Sequence, residues 1–303
     1  MLRALLLYLS ERKTPRRLLT HMPAARKLPR RFVAGESMPE ALDVVQRLQR
    51  DGFVFTLDHL GESVTVPADA TETERAYIEI IDRLATEGLP PNISIKLTSL
   101  GLALDESLAA QHLAAIAARA RARQGFVRID MEGSEYLEST LRLFRSLDAA
   151  RDLVGLVIQA YLYRSENDIE NLVSMGARIR LTKGAYQEPP GIAFRKKSDV
   201  DANFVKLMQK LLASGGYHAI ATHDSNMIAA TQDFARRERI GLDRFEFQML
   251  YGVRRRLQRE LLRQGYRVRV YVPFGEQWYP YFMRRLAERP ANALFLLRNL
   301  VRG

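Results

Sequence analysis

The stretch from Gly155 to Lys183, GLVIQAYLYRSENDIENLVSMGARIRLTK, holds the fold in miniature. Gly155–Tyr161 is a short run of branched and aromatic side chains, which suits a strand buried on both faces. Ser165-x-x-Asp168 then opens an amphipathic segment, and Gly176 closes it, because glycine readily takes the left-handed backbone that ends a helix. Ala177–Lys183 is strand-like again. Strand, helix and strand in alternation imply a parallel sheet.

The same unit recurs on both sides. Phe53–Asp58, Ile93–Leu97, Phe126–Asp130, Tyr217–Thr222, Arg244–Gln248 and Arg267–Val272 join the first two runs to make eight candidate strands. Thr71-x-x-Glu74 reads as a capping box for one intervening helix, with Gly88 as its stop. Eight such units over about 250 residues match an α/β fold of the closed (β/α)8 TIM type, with an open doubly wound sheet as the alternative. Upstream, residues 2–31 and 39–51 read as extra N-terminal helices, with Leu2, Leu5, Leu6 and Leu9 on one stripe. The expected division is a basic helical arm over residues 1–51, packed on a barrel over residues 52–303.

Composition narrows the function. Of the 303 residues 47% are hydrophobic and 27% charged, which suits a globular chain with a substantial core. No apolar run is longer than Ala4–Leu9, far short of the roughly 20 residues that a membrane-spanning helix needs. There is no cysteine, and the five histidines form no HExxH pattern, so no metal site is expected. A net charge of +11 invites a nucleic-acid reading. However, residues 1–31 concentrate nine basic side chains against Glu11 alone and leave the rest nearly balanced. Such an arm suits RNA, a membrane surface or an acidic partner, or is simply a solvated face, which is the plainer reading, and no nucleic acid is expected as partner. GxGxxG, P-loop and GxSxG motifs are all missing, which disfavours a Rossmann site, a Walker site and an esterase.

Alternate side chains of a barrel strand face the lumen. With Leu57, Ile95, Ile129, Ile158, Leu181, Ala221, Phe247 and Val270 assigned outward, the opposite parity places Asp58, Lys96, Asp130, Gln159, Arg180, Thr222, Gln248 and Tyr271 at the C-terminal mouth. All of these carry polar groups, and barrel enzymes keep their active sites at that end. Lys96, Arg180 and Lys183, with Arg284 and Arg285 in the last helical segment, suit an anionic substrate or cofactor phosphates. Two chemistries fit. Either Lys96 or Lys183 is the nucleophile of a Schiff-base lyase or aldolase, or the cations hold a carboxylate substrate and a phosphate-bearing cofactor.

Ser94-Ile95-Lys96-Leu97, Arg128-Ile129-Asp130-Met131-Glu132, Gln159-Ala160-Tyr161-Leu162-Tyr163-Arg164 and Arg180-Leu181-Thr182-Lys183-Gly184-Ala185-Tyr186 are similar to motifs of the proline dehydrogenase family. So are Ala221-Thr222-His223-Asp224, Tyr271-Val272-Pro273-Phe274-Gly275 and the tail from Trp278 to Leu286. The resemblance implies a monofunctional enzyme that oxidises L-proline with FAD and passes electrons to a membrane quinone. A separate pyrroline-5-carboxylate dehydrogenase would act downstream. It implies flavin contacts from Met131, Gln159, Arg180, Lys183, Gly184, Ala185, Thr222 and His223, and proline contacts from Lys96, Tyr271, Arg284 and Arg285. Asp130 and Arg180 take the catalytic positions, and Glu62 resembles a gate partner for Arg284. The location implied is cytoplasmic, with peripheral contact at the inner face of the membrane through residues 1–31. Thr182 and Asp224 stand where the family commonly has valine and asparagine.

Overall fold

The computed structural model describes residues 29–61, 64–147 and 152–288, with side chains to residue 285. Eight strands follow in chain order: β1 (Val54–His59), β2 (Asn92–Ile95), β3 (Phe126–Ile129), β4 (Val154–Gln159), β5 (Arg178–Thr182), β6 (His218–Ala221), β7 (Phe245–Leu250) and β8 (Val268–Phe274). Each pairs in parallel with the next, and β8 pairs with β1, so the sheet closes as a barrel and the open doubly wound alternative is excluded. Helix α1 (Met38–Arg50) precedes β1 and packs against β1 and β8. The others are α2 (Pro67–Thr86), α3 (Glu106–Ala122), α4 (Leu137–Arg145), α5 (Ser165–Ser174), α6 (Lys197–Ala213), α7 (Ser225–Arg237), α8 (Arg255–Arg263) and α9 (Trp278–Glu288). The leucine stripe and most of the basic arm lie outside the described residues.

Strand parity sets the two sides of the wall. Leu57, Ile95, Ile129, Leu181, Phe247 and Val270 are fully buried. One assignment is corrected in β6, where Ile220 registers with Leu181 and Phe247, whereas Ala221 registers with Gln248. Ile220 therefore faces outward and Ala221 the lumen, and Thr222 lies beyond the strand end. Small residues at Ala219 and Ala221 left the run without a strong apolar side, so hydrogen-bond register decides its orientation.

Two helix starts also differ from expectation. Helix α2 begins one turn before the Thr71 box, with Pro67 in its first turn, and Thr71 Oγ1 donates back to the Pro67 carbonyl at 3.3 Å. A proline at this position sacrifices no intrahelical bond and presets the helical φ, which favours the earlier start. Ser165 is the first residue of α5 rather than its cap, and its hydroxyl donates to the Gln159 carbonyl at 2.5 Å. Both stops hold, with Gly88 at φ 68° and Gly176 at φ 75°.

The lumen below the mouth carries charge where a barrel of this type ordinarily carries branched apolar residues. Arg128 and Glu246 are buried there, and Arg269 forks Glu246 at 2.7 and 3.1 Å. Gly155 registers beside Arg128, and a Cβ on it would strike the Arg128 guanidinium. At the foot of β6, His218 Nδ1 accepts the Ile179 N–H at 3.2 Å, which places the ring proton on Nε2, 3.0 Å from Ser214 Oγ.

Burial, reinforced by the Arg128 and Arg178 guanidinia, pushes His218 down to about 4. The unfolded chain takes up this proton first, near pH 6.5, so stability is complete above that value and falls as pH drops towards 4, by about 3 kcal/mol. Urea unfolding across this window should show the slope in the parent. His218→Gln should flatten it, and an unchanged slope would assign the acid sensitivity to another group.

Candidate active site

Five strands bring one connected cluster to the C-terminal mouth. Arg180 on β5 donates from Nη1 to Asp130 Oδ1 at 2.7 Å, and Ser94 on β2 donates to the same oxygen, also at 2.7 Å. Tyr271 on β8 donates to Asp130 Oδ2 at 2.8 Å. Lys96, the residue after β2, lies 3.2 Å from Asp58 on β1 and 3.8 Å from Asp130. Charge-assisted contacts of this length fix their partners' geometry. The Arg180 guanidinium also sits 5.4 Å from the centre of the Tyr271 ring.

Burial governs the electrostatics here. It raises the Asp58 carboxyl above the usual range, although the Lys96 ammonium opposes it. It also lifts the Tyr271 phenol well above its ordinary value, with Asp130 adding to the effect, so Tyr271 is a hydrogen-bond donor throughout the physiological range. Ser94 went unnoticed as a site residue. The signal was available, since it shares lumen parity with Lys96 two residues on and registers with Asp58.

A second cluster forms around Lys183, just beyond β5. Its ammonium reaches Asp201 on α6 and, at 2.7 Å, Asp224. Asp224 also caps α7 by accepting the Asn226 N–H at 3.0 Å, so one carboxylate both starts a helix and holds the lysine. Asp201 lies in a different helix, and nothing in the spacing announces the contact. Gly184 has φ 108°, and a Cβ there would run into the Tyr161 ring. That ring is held in turn by its hydroxyl, which donates to Glu188 at 2.6 Å.

The remaining expected residues divide as follows. Gln159 donates to the Met131 carbonyl at 3.3 Å, and both are buried. Thr222 is buried with its N–H on the Gln248 carbonyl at 3.2 Å. His223 is half-buried, and its Nε2 accepts the Leu250 N–H at 2.9 Å. Ala185 is exposed. Arg284 and Arg285 are half-buried on α9, with the Arg285 guanidinium 5.3 Å from the Tyr281 ring centre. Glu62 lies outside the described residues.

Polar atoms without partners mark what the mouth is built to receive. Gln159 Oε1, Gln248 Oε1 and Arg180 Nε are buried and make no hydrogen bond among the described residues. Leaving such atoms unmatched is unfavourable, and a planar ring bearing amide groups would supply both donors and acceptors to them. The residues present therefore fit a flavin.

A closed parallel barrel with an internally paired, charged C-terminal mouth defines a (β/α)8-barrel enzyme. The sequence model of the proline dehydrogenase family matches residues 41–298. Proline dehydrogenase 1 of Bacillus subtilis (strain 168) is 43% identical over 305 residues, covering 100% of both chains. Proline dehydrogenase of Deinococcus radiodurans is 44% identical over 281 residues, covering 91% of each. Among solved structures, proline utilization A from Bdellovibrio bacteriovorus, inactivated by N-propargylglycine, superposes with a TM-score of 0.81 at 27% identity. That match covers 86% of this chain and 32% of the larger one. The chain belongs to the proline dehydrogenase family.

The Asp58–Lys96 pair sets a stability test. Lys96→Met keeps the volume but strands an almost fully buried carboxylate, which costs about 3–5 kcal/mol when one partner of a buried pair is removed. Urea titration at pH 7 should show that loss. Because burial already raises the Asp58 carboxyl, the deficit should shrink as acidification neutralises it. A variant as stable as the parent would show that Asp58 does not depend on the ammonium.

Proposed function

We propose that this protein oxidises L-proline to Δ1-pyrroline-5-carboxylate, the first step of proline catabolism, with FAD as hydride acceptor. The observation that carries the reading is the Asp130–Arg180 pair, fixed at the barrel mouth of a chain from this family. FAD, when bound, would supply a hydride acceptor for the ring carbon next to proline's nitrogen. Arg180, held by Asp130 and Ser94, offers positive charge where negative charge builds, and it does so without reorganising water. Met131, Gln159, Arg180, Lys183, Gly184, Ala185, Thr222 and His223 would hold the cofactor. Lys96, Tyr271, Arg284 and Arg285 would hold proline, the two arginines forking its carboxylate. Glu62 would gate the site against Arg284.

The Schiff-base alternative fits the lysines poorly. Lys96 sits between Asp58 and Asp130, and Lys183 between Asp201 and Asp224. Both nitrogens are thus already engaged by carboxylates, whereas a Schiff-base lysine must present its nitrogen to a substrate carbonyl.

Beyond the mouth, the proposal includes a membrane quinone as electron acceptor and a separate pyrroline-5-carboxylate dehydrogenase as consumer of the product. Among the described residues no helix is long and apolar enough to cross a membrane. Residues 1–31 would supply reversible contact with an anionic bilayer by placing leucines at the acyl boundary and arginines among headgroups. Sedimentation with anionic vesicles at low salt should carry down the full chain but not one lacking residues 1–31. Equal partitioning of two folded, flavin-bearing proteins would remove the arm from this role.

The central reading is tested by a spectrum. Purified protein should show oxidised-flavin absorption that L-proline bleaches without oxygen, and a colourless protein trapped by borohydride would overturn it. In Arg180→Met that still carries flavin, the limiting bleaching rate should fall by about 10²-fold with little change in the proline concentration for half-saturation.

A further inference from the structure

The N-terminal mouth, opposite the site, carries a stack of alternating cations and rings. Arg128 lies 4.9 Å from the centre of the Phe126 ring, and Arg178 lies 4.3 Å from the same ring. Arg178 is also 5.0 Å from the Tyr217 ring, and Arg267 is 5.6 Å from it. With Arg269, four guanidinia meet at this end of the barrel. The buried acid among them is Glu246, and its two oxygens already accept from Arg269, Tyr217 and Gln248. Asp243 acts on Arg267 only through its field.

Arg178 differs from its neighbours. Arg128 donates to backbone carbonyls, Arg267 to the Tyr217 hydroxyl, and Arg269 to Glu246 and Phe55. Among the described residues Arg178 has its two ring contacts but donates no side-chain hydrogen bond, and its Nε is buried. Stacking occupies the faces of a guanidinium and leaves its in-plane N–H groups, which form a fork matched to an oxyanion. Burial, helped by nearby guanidinia and opposed by Glu246, lowers the pKa of both Arg178 and Arg128, so buried positive charge at this end is disfavoured. The site is reachable, because Arg178 is only half-buried at this mouth.

We propose that the N-terminal mouth binds a small oxyanion of the phosphate or carboxylate type, received by the edge of Arg178 between Phe126 and Tyr217 with Arg267 adding charge. The site is separate from the chemistry. Its occupant neutralises the lower lumen and stabilises the barrel without touching proline turnover, in keeping with the division between the two ends of such barrels.

The test uses flavin-loaded enzyme, so that phosphate-binding groups of the cofactor site are already filled. Thermal unfolding is followed against inorganic phosphate, acetate and chloride at matched ionic strength. Phosphate or acetate at about 20 times its dissociation constant should raise Tm by about 3 °C over chloride, and the stronger of the two identifies the preferred oxyanion. Arg178→Gln should weaken binding about tenfold or more, with kcat and KM for proline unchanged. Arg178→Lys, which keeps charge and stem but loses the fork, covers the case in which the glutamine variant does not fold, and it should also weaken binding. If neither oxyanion acts better than chloride on the parent the proposal is overturned, as it is by an equal response in the folded variants.

Discussion

A carboxylate inside a barrel must have its oxygens matched by donors, and Asp130 is where this constraint is met. It takes hydrogen bonds from Ser94, Arg180 and Tyr271 and stands near the Lys96 ammonium, so strands β2, β3, β5 and β8 are tied at one point. Each donor is in turn fixed elsewhere, Lys96 by Asp58 and Arg180 by Ser94 and the Tyr271 ring. The rigidity that would let Arg180 act electrostatically therefore comes from the satisfaction of its neighbours rather than from tight apolar packing around it.

The same logic extends down the lumen, with apolar residues on the outer face of the wall and polar ones within. Leu57, Ile95, Ile129, Leu181, Ile220, Phe247 and Val270 are buried between strands and helices and supply the hydrophobic stabilisation. The inner face, from Arg128 and Glu246 up to Asp58 and Asp130, contributes specificity of position at the expense of desolvation. Gly155 belongs to this arrangement, since the absence of a side chain there makes room for Arg128.

Much of this was legible from the sequence because strand periodicity is short and strong. Eight runs were visible and all became strands, and in seven of them the lumen side followed from the apolar side. In β6 the side chains of Ala219 and Ala221 are too small to declare a side, and only pairing with its neighbours orients it. Helix starts were less legible, since Pro67 outweighed the box at Thr71. Contacts between distant elements, such as Asp201 with Lys183 or Ser94 with Arg180, depend on barrel curvature and left no spacing to read. The lower cations Arg128 and Arg269 share these lumen-facing rows but lie below the strand ends, where parity alone does not mark a site.

Closure of the barrel has a kinetic corollary. The bond from Arg269 to the Phe55 carbonyl spans 214 residues, and the β1–β8 ladder beside it is equally non-local. Contacts so far apart in sequence carry a large loop-closure entropy and form late. During synthesis β1 leaves the ribosome long before β8 exists, so one of its edges stays without a strand partner until β8 has been made. Helix α1, which immediately precedes β1 and packs against it, needs no such wait and can shelter that strand in the interval.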